Sequence, residues 1–303
     1  MNAQSGLFAF GATEHLFLTF DLTAGANVQE ALQTLAVAGN PATTDMVNVV
    51  VGVRPSLWAE IADAEDIPAN VHDFSEAKGE DGFTMPAEQH DFWIWISAAG
   101  MDACWRWARE IIINFGNNVR MTSEHRGWGY HGNLDLTGFV DGTENPGRLE
   151  APQHVAVPDG QPGAGSSILL FQPFEHTKFN WYETSVPEQE QAIGRTKLDN
   201  IEFDDDVKPV SAHVARTNID TDEREIKVWR RNVAYGDMHH HGTLFVGFTN
   251  EQWKLEDMID RMTGSDGVHD TIMNFMHVTG SAWFVIPSVE AMLKFLPEDD
   301  DED

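Results

Sequence analysis

The stretch LTGFVDGTENPGR (136–148) holds an aspartate, Asp141, between an apolar pair, Phe139 and Val140, and a glycine. Glycine, proline and short polar residues make this segment a turn. A turn aspartate most often serves only its own backbone. One delivered by a turn into a cavity is instead a base or a proton shuttle. In SAHVARTN (211–218), His213 sits among small and β-branched residues, a pattern that reads as buried extended chain. Such a histidine is either a hydrogen-bonded core group or a ligand. VWRRNVAYG (228–236) reads as a strand with two adjacent arginines, Arg230 and Arg231. Strand neighbours point to opposite faces, so one arginine faces inward. There it needs an anion, a carboxylate or an electrostatic task to offset its desolvation. Aspartate, histidine and arginine would be useful together where one cofactor needs a base, a ligand and a cationic stabiliser. The run HHH (239–241) invites a metal reading, but consecutive side chains diverge and rarely chelate one ion together. A surface loop is the expected reading.

The elements that must position these residues belong to a chain of 303 residues, 42% apolar, with ten Trp and eighteen Phe. That composition supports a large core rather than disorder. Acidic residues outnumber basic ones by 49 to 19, for a net charge of -30. Nucleic acid and anionic membrane surfaces are therefore poor partners, because like charges repel. The first basic residue is Arg54, so a secretory or twin-arginine leader is not expected, and no apolar run reaches membrane-spanning length. Cys104 is the only cysteine, which excludes an internal disulfide and a cysteine-ligated cluster. The expected location is cytoplasmic.

Patterning divides the chain into two similar halves. HLFLTFDL (15–22), MVNVVVGV (46–53) and DFWIWISA (91–98) read as strands, and NVQEALQTLAVAG (27–39) and DACWRWAREIIINF (102–115) as helices. In the second half, SSILLFQPFE (166–175), EIKVWRRNVAYG (225–236), GTLFVGFTN (242–250) and SAWFVIPS (281–288) read as strands. SVPEQEQAIG (185–194) reads as a helix with Ser185 and Glu188 as a capping box and Gly194 at its end, and EQWKLEDMIDRMTG (251–264) as another helix. The shared order predicts two α+β domains on one plan with antiparallel sheets, over 1–147 and 148–296. PEDDDED (297–303) is expected to be a solvated, disordered tail.

GFVDGTENP (138–146) resembles the signature of the dye-decolourising peroxidases, haem enzymes whose motif centres on Gly-x-x-Asp-Gly. EQEQAIGRTK (188–197), SAHVARTN (211–218), RRNVAYG (230–236) and DTIMNFMHVTGSAWFVIPS (270–288) resemble successive blocks of that family in the same order. The length fits the bacterial type B, or P, subgroup. The resemblance implies two ferredoxin-like halves whose sheets form a split β-barrel of the dimeric α/β-barrel type, with haem b held mainly by the C-terminal half. It implies His213 as the iron ligand, Asp270 as the carboxylate behind it, and Asp141, Arg230 and Asn232 on the peroxide side. Gly142, Thr143, Glu144 and Arg216 are implied as further haem-binding positions. Gly138 and Gly142 are expected to let the backbone approach the haem, and Asn145 and Pro146 to stiffen the exit of the turn. The implied activity is reduction of hydrogen peroxide, with dyes, phenols or other aromatic donors oxidised through a ferryl (compound I) intermediate. Bulky dyes would be oxidised at the surface or at an access channel, with electrons passing through aromatic residues, and the implied assembly is a homodimer or larger. The alternative implied function is haem handling, by iron release or storage.

Overall fold

A computed structural model of the chain describes residues 1–176, 180–221 and 224–296. The acidic run 297–303 lies outside the described residues. The first half lays down β1 (Glu14–Leu22), α1 (Val28–Ala38), β2 (Val47–Val53), β3 (Phe92–Ala98), α2 (Met101–Phe115) and β4 (Val119–Trp128). β3 is buried along its whole length, as its unbroken aromatic and β-branched run requires. α1 starts where the Asn27 side chain accepts the Glu30 N–H (3.3 Å), and α2 buries Cys104, Ala108, Ile111 and Phe115, one helical stripe. The second half repeats the plan with β5 (Ser167–His176), α3 (Val186–Ile193), α4 (His213–Thr217), β6 (Val233–Gly236), β7 (His241–Thr249), α5 (Trp253–Thr263) and β8 (Ala282–Ile286). The Ser185–Glu188 pair caps α3, and Gly194 ends it in the left-handed region at φ 91°.

Three features depart from the sequence reading. β4 carries no alternating pattern because most of its residues stay partly exposed on both faces. The strand expected over 225–236 is broken into Arg224–Ile226, Trp229–Arg230 and β6, for a reason that lies in the site. His213 opens a short helix rather than lying in extended chain.

Eight strands close into one antiparallel barrel in the order β7-β6-β4-β1-β3-β2-β8-β5 and back to β7. Each half contributes four consecutive strands, arranged in both cases as fourth, first, third, second. The split expected between the two sheets is bridged at two short seams. β4 meets β6 at Trp128↔Ala234 and Gly127↔Tyr235, and β2 meets β8 at Val53↔Val285. Closure removes the edges that two open sheets would leave unpaired. The buried Gln4 side chain laces the second seam, donating to Val51 O and Pro287 O (both 3.0 Å) and accepting the Val51 N–H (2.9 Å).

Aromatic side chains fill the barrel, with Phe17, Trp93, Trp95, Phe171, Phe248 and Phe284 at its centre. A second apolar layer lies under α1 and α2, and a third between the outer face of the C-terminal sheet and α5. Among the described residues no helix is long and apolar enough to cross a membrane.

Candidate active site

His213 stands first in α4, where Ala212 keeps an extended backbone (φ -65°, ψ 143°) and starts the helix. The Thr217 hydroxyl donates back to His213 O (2.8 Å) and tightens this single turn. The imidazole Nδ1 lies 2.6 Å from Asp270 Oδ2, and Asp270 is fully buried. Asp270 is itself fixed at both ends. Its Oδ1 accepts the Ile272 N–H (2.9 Å), capping the short helical turn Thr271–Asn274, and its own N–H donates to Met262 O (3.0 Å). A bond from Thr271 N–H to Ser211 O (2.8 Å) ties this turn to the residues just before His213. The carboxylate occupies Nδ1 and fixes the ring's tautomer, leaving Nε2 as the nitrogen available to a ligand.

Asp141 is presented by a tight hairpin in which its N–H donates to Asn133 O (3.0 Å) and the Asp135 N–H donates to Phe139 O (2.9 Å). Gly138 turns the hairpin at φ 86°. Burial pushes the Asp141 carboxyl above its usual range; the Arg230 charge opposes that and the neighbouring Asp135 reinforces it. Asn232 donates from Nδ2 to Asp141 Oδ1 (3.3 Å), while its own Oδ1 accepts the Val246 N–H (3.0 Å). Trp229–Arg230 and β6 pair with β7 in one continuous register, Arg230↔Gly247 and Val233↔Leu244. The Asn232 side chain therefore takes a ladder bond that backbone would otherwise make. That substitution breaks the strand and places an amide beside Asp141.

Asn145 completes the frame. Its side-chain amide accepts the Arg230 N–H (2.9 Å) and donates to Arg230 O (2.9 Å), so the turn is clamped to the arginine's backbone. The Arg230 guanidinium lines the same cavity as Asp141, Asn232 and His213, with no hydrogen-bond partner among the described residues. Arg231 points elsewhere. Its guanidinium donates to Leu7 O (3.1 Å) and lies over the rings of Phe10 (4.5 Å) and Trp95 (5.3 Å), and burial lowers its pKa to about 10. The cavity walls are mainly apolar, including Leu170, Phe174, Phe245, Met258 and Met262. A free imidazole nitrogen, apolar walls and an acid–base group with a cation fit a flat, iron-bearing macrocycle in their donor chemistry.

The other expected positions divide. Thr143 and Glu144 line the cavity, where Glu144 pairs with the buried Arg195. Arg216 does not line it: its guanidinium donates to Arg261 O (2.8 and 3.0 Å) and Asp266 (2.6 Å), so burial here serves a structural pair. Gly142 is a backbone position rather than a wall. At φ 75°, a Cβ would come 2.9 Å from Asn145 Nδ2 and disturb the clamp on Arg230. Gly138 likewise packs against Lys197, where a Cβ would lie 2.7 Å from Cε. Both glycines therefore keep the turn clear of neighbouring side chains, and Asn145 does more than stiffen the turn's exit. The sequence reading missed Asp135 and Thr243, both in the cavity wall. Asp135 had a signal, a second carboxylate in the same turn; Thr243 had none. In the histidine run, His239 and His240 N–H groups donate to Asp237, His240 Nδ1 lies 3.1 Å from Glu175, and His241 enters β7. Among the described residues the one acidic cluster with metal-like spacing is Asp63, Glu65 and Asp66, and Lys294 holds all three.

Comparison with known proteins places the chain by family and by fold. The profile for the N-terminal part of Dyp-type peroxidases matches residues 11–129, and the C-terminal profile matches residues 132–291. A dye-decolorizing peroxidase of Mycolicibacterium paratuberculosis is 35% identical over 91% of this chain and 80% of its own length. One from Mycobacterium tuberculosis is 33% identical over 91% of this chain and 84% of its own. Among solved structures, DyPB from Rhodococcus jostii RHA1 superposes with a TM-score of 0.88 at 29% identity, covering 96% of this chain and 97% of that one. A variant of that protein has been solved in complex with heme. The encapsulated DyP-type peroxidase of Mycobacterium smegmatis superposes with a TM-score of 0.87 at 29% identity, over 98% and 99% of the two chains.

Proposed function

Because the chain belongs to the Dyp-type peroxidase family, we propose that it holds haem b in this cavity, reduces hydrogen peroxide there and oxidises dyes, phenols and other aromatic donors. The observation that carries the reading is the pairing of His213 with the buried Asp270 on a cavity that also receives Asp141, Arg230 and Asn232. His213 Nε2 would hold the iron. Asp270, by accepting from Nδ1, increases electron donation by the ring, which favours cleavage of the O–O bond. When bound, the haem would supply the two-electron oxidising chemistry.

The protein's own groups handle the protons and the charge. Asp141 takes the proton from one peroxide oxygen and returns it to the other, directly or over one water. Asn232 holds Asp141 in place from the β7 ladder. The Arg230 guanidinium stabilises negative charge on the departing oxygen, a contribution of about 3 kcal/mol for one pre-oriented donor. A haem carrier needs a ligand but no such trio, so the peroxidase reading is favoured over haem handling. The same strand order in both halves supports reading each as ferredoxin-like, over 1–147 and 148–296.

His213→Ala is the direct test. The purified variant should lose haem or its normal Soret band, and an unchanged spectrum would remove His213 as the ligand. Arg230→Leu should retain haem but slow the Soret change after one equivalent of peroxide about a hundredfold or more. An unchanged rate would remove Arg230 from the reaction.

A further inference from the structure

One arm of the cavity is not used by the chemistry above. Asp135 lines the cavity with Asp141, and its Oδ2 accepts a hydrogen bond from the Thr243 hydroxyl. The same hydroxyl lies 3.2 Å from Nε2 of His176, a buried ring at the end of β5. Beyond it, the ring of His241 stands 6.3 Å from that of His176 and is partly exposed. The three groups come from three separate elements: Asp135 from the hairpin that carries Asp141, Thr243 from β7 and His176 from β5. They form an unbroken polar line from the end of β5 to the cavity.

Each member can both receive and pass a proton. An imidazole takes one at one nitrogen and releases one at the other, a hydroxyl does both at one oxygen, and a carboxylate offers two oxygens. The direction is fixed by Thr243. Its proton goes to Asp135, so it can only accept from His176, which must then carry its hydrogen on Nε2. We propose that His176, Thr243 and Asp135 form a proton relay that carries solvent protons into the peroxide pocket, the last step crossing to Asp141 over a cavity water. The proposal rests on the haem-peroxidase reading above.

The reaction needs such a supply at a definite stage. The balance is H2O2 + 2 e− + 2 H+ → 2 H2O. While the O–O bond breaks, the proton only moves between the two peroxide oxygens inside the pocket, and none is drawn from solvent. The two protons are consumed when reducing substrates deliver their electrons. A donor that yields an electron and no proton leaves both protons to be drawn from solvent. Relay loss should therefore slow reduction and spare the first encounter with peroxide. Burial holds His176 below the usual histidine range despite the pull of Asp135, which favours the neutral ring that the relay's resting state requires.

Thr243→Val removes the hydroxyl at nearly constant volume, and Thr243→Ser keeps it. Both holoenzymes are compared with the parent using a cationic ferrocene, which gives an electron and no proton. With Thr243→Val, kcat at saturating peroxide should fall about tenfold or more with a larger solvent isotope effect. The single-mixing Soret change with peroxide and the haem content should stay at the parent's values, and Thr243→Ser should restore kcat. Equal kcat values for Thr243→Val and the parent, or Thr243→Ser as slow as Thr243→Val, would overturn the relay. Independently of turnover, 15N NMR of the diamagnetic ferrous–carbonyl holoenzyme reads the His176 tautomer. The parent and Thr243→Ser should carry the hydrogen on Nε2 and Thr243→Val a mixture, whereas Nδ1–H in the parent would refute the proposed direction. A parent protein with no Soret response to peroxide fails at the haem-peroxidase reading instead, before the relay is in question.

Discussion

At the scale of the residue, burial and the neighbouring Asp135 raise the Asp141 carboxyl, while the Arg230 charge, the Gly142 N–H and the Asn232 amide lower it. Burial wins, so the carboxyl protonates more easily than an exposed aspartate. A base must be ionised to accept a proton, so the peroxide step should lose rate as pH falls through this raised value, above the ordinary carboxylate range. Arg230 and Asn232 both favour the charged form, so Asn232→Leu should move the acid limb to still higher pH. Stopped-flow rates between about pH 3 and pH 8 locate the limb. A limb unmoved by Asn232→Leu would mean that Asp141 is not the titrating group. Asp141, His213 and Arg230 are each weak signals as residue types, and it is the family resemblance of their blocks that singles them out; the fold then brings all three to one cavity. The clamp made by Asn145 and the place of Thr243 could not be read. An asparagine near the end of a turn motif and a threonine in a strand are ordinary there, and only the fold sets them against Arg230 and Asp135.

At the scale of the element, the half-barrels were visible as patterns, and the joints between them were not. β3 and β5 announce themselves by their apolar stretches FWIWI and ILLF, whereas β4 exposes too much of both faces to alternate. The break at Asn232 is invisible for a related reason: the flanking residues keep strand register, and a side chain replaces one backbone acceptor. The β2–β8 seam has a single paired position, so a side chain must do what a longer ladder does elsewhere. Gln4 supplies three hydrogen bonds there from a buried position near the chain start. Gln4→Leu keeps the volume but leaves the Val51 N–H and two carbonyls unpaired. It should destabilise the protein by about 3 kcal/mol or more, as each of the three buried unsatisfied groups costs about 1–3 kcal/mol. Denaturant unfolding followed by tryptophan fluorescence measures this, and a loss under about 0.5 kcal/mol would mean that water or a shifted strand replaces the glutamine.

At the scale of the whole molecule, the dominant quantity is the net charge of -30. It has no part in specifying the barrel, whose interior is aromatic, but it surrounds the cavity with a field that every donor must cross. Proteins of such charge steer oppositely charged small molecules inward and repel like-charged ones. At about 10 mM salt the screening length is about 30 Å and the field reaches well beyond the surface; near 1 M it shrinks to about 3 Å. A cationic dye should therefore lose kcat/KM as salt is added, and a sulfonated anionic dye should gain it, with hydrogen peroxide, being neutral, nearly unaffected. The peroxide control separates encounter from chemistry, because a change in the site itself would alter all three. Slopes of the same sign for both dyes would mean that donors react at a local patch whose charge differs from that of the molecule. The four arginines Arg106, Arg109, Arg120 and Arg126, on α2 and β4, are the first place to look for it.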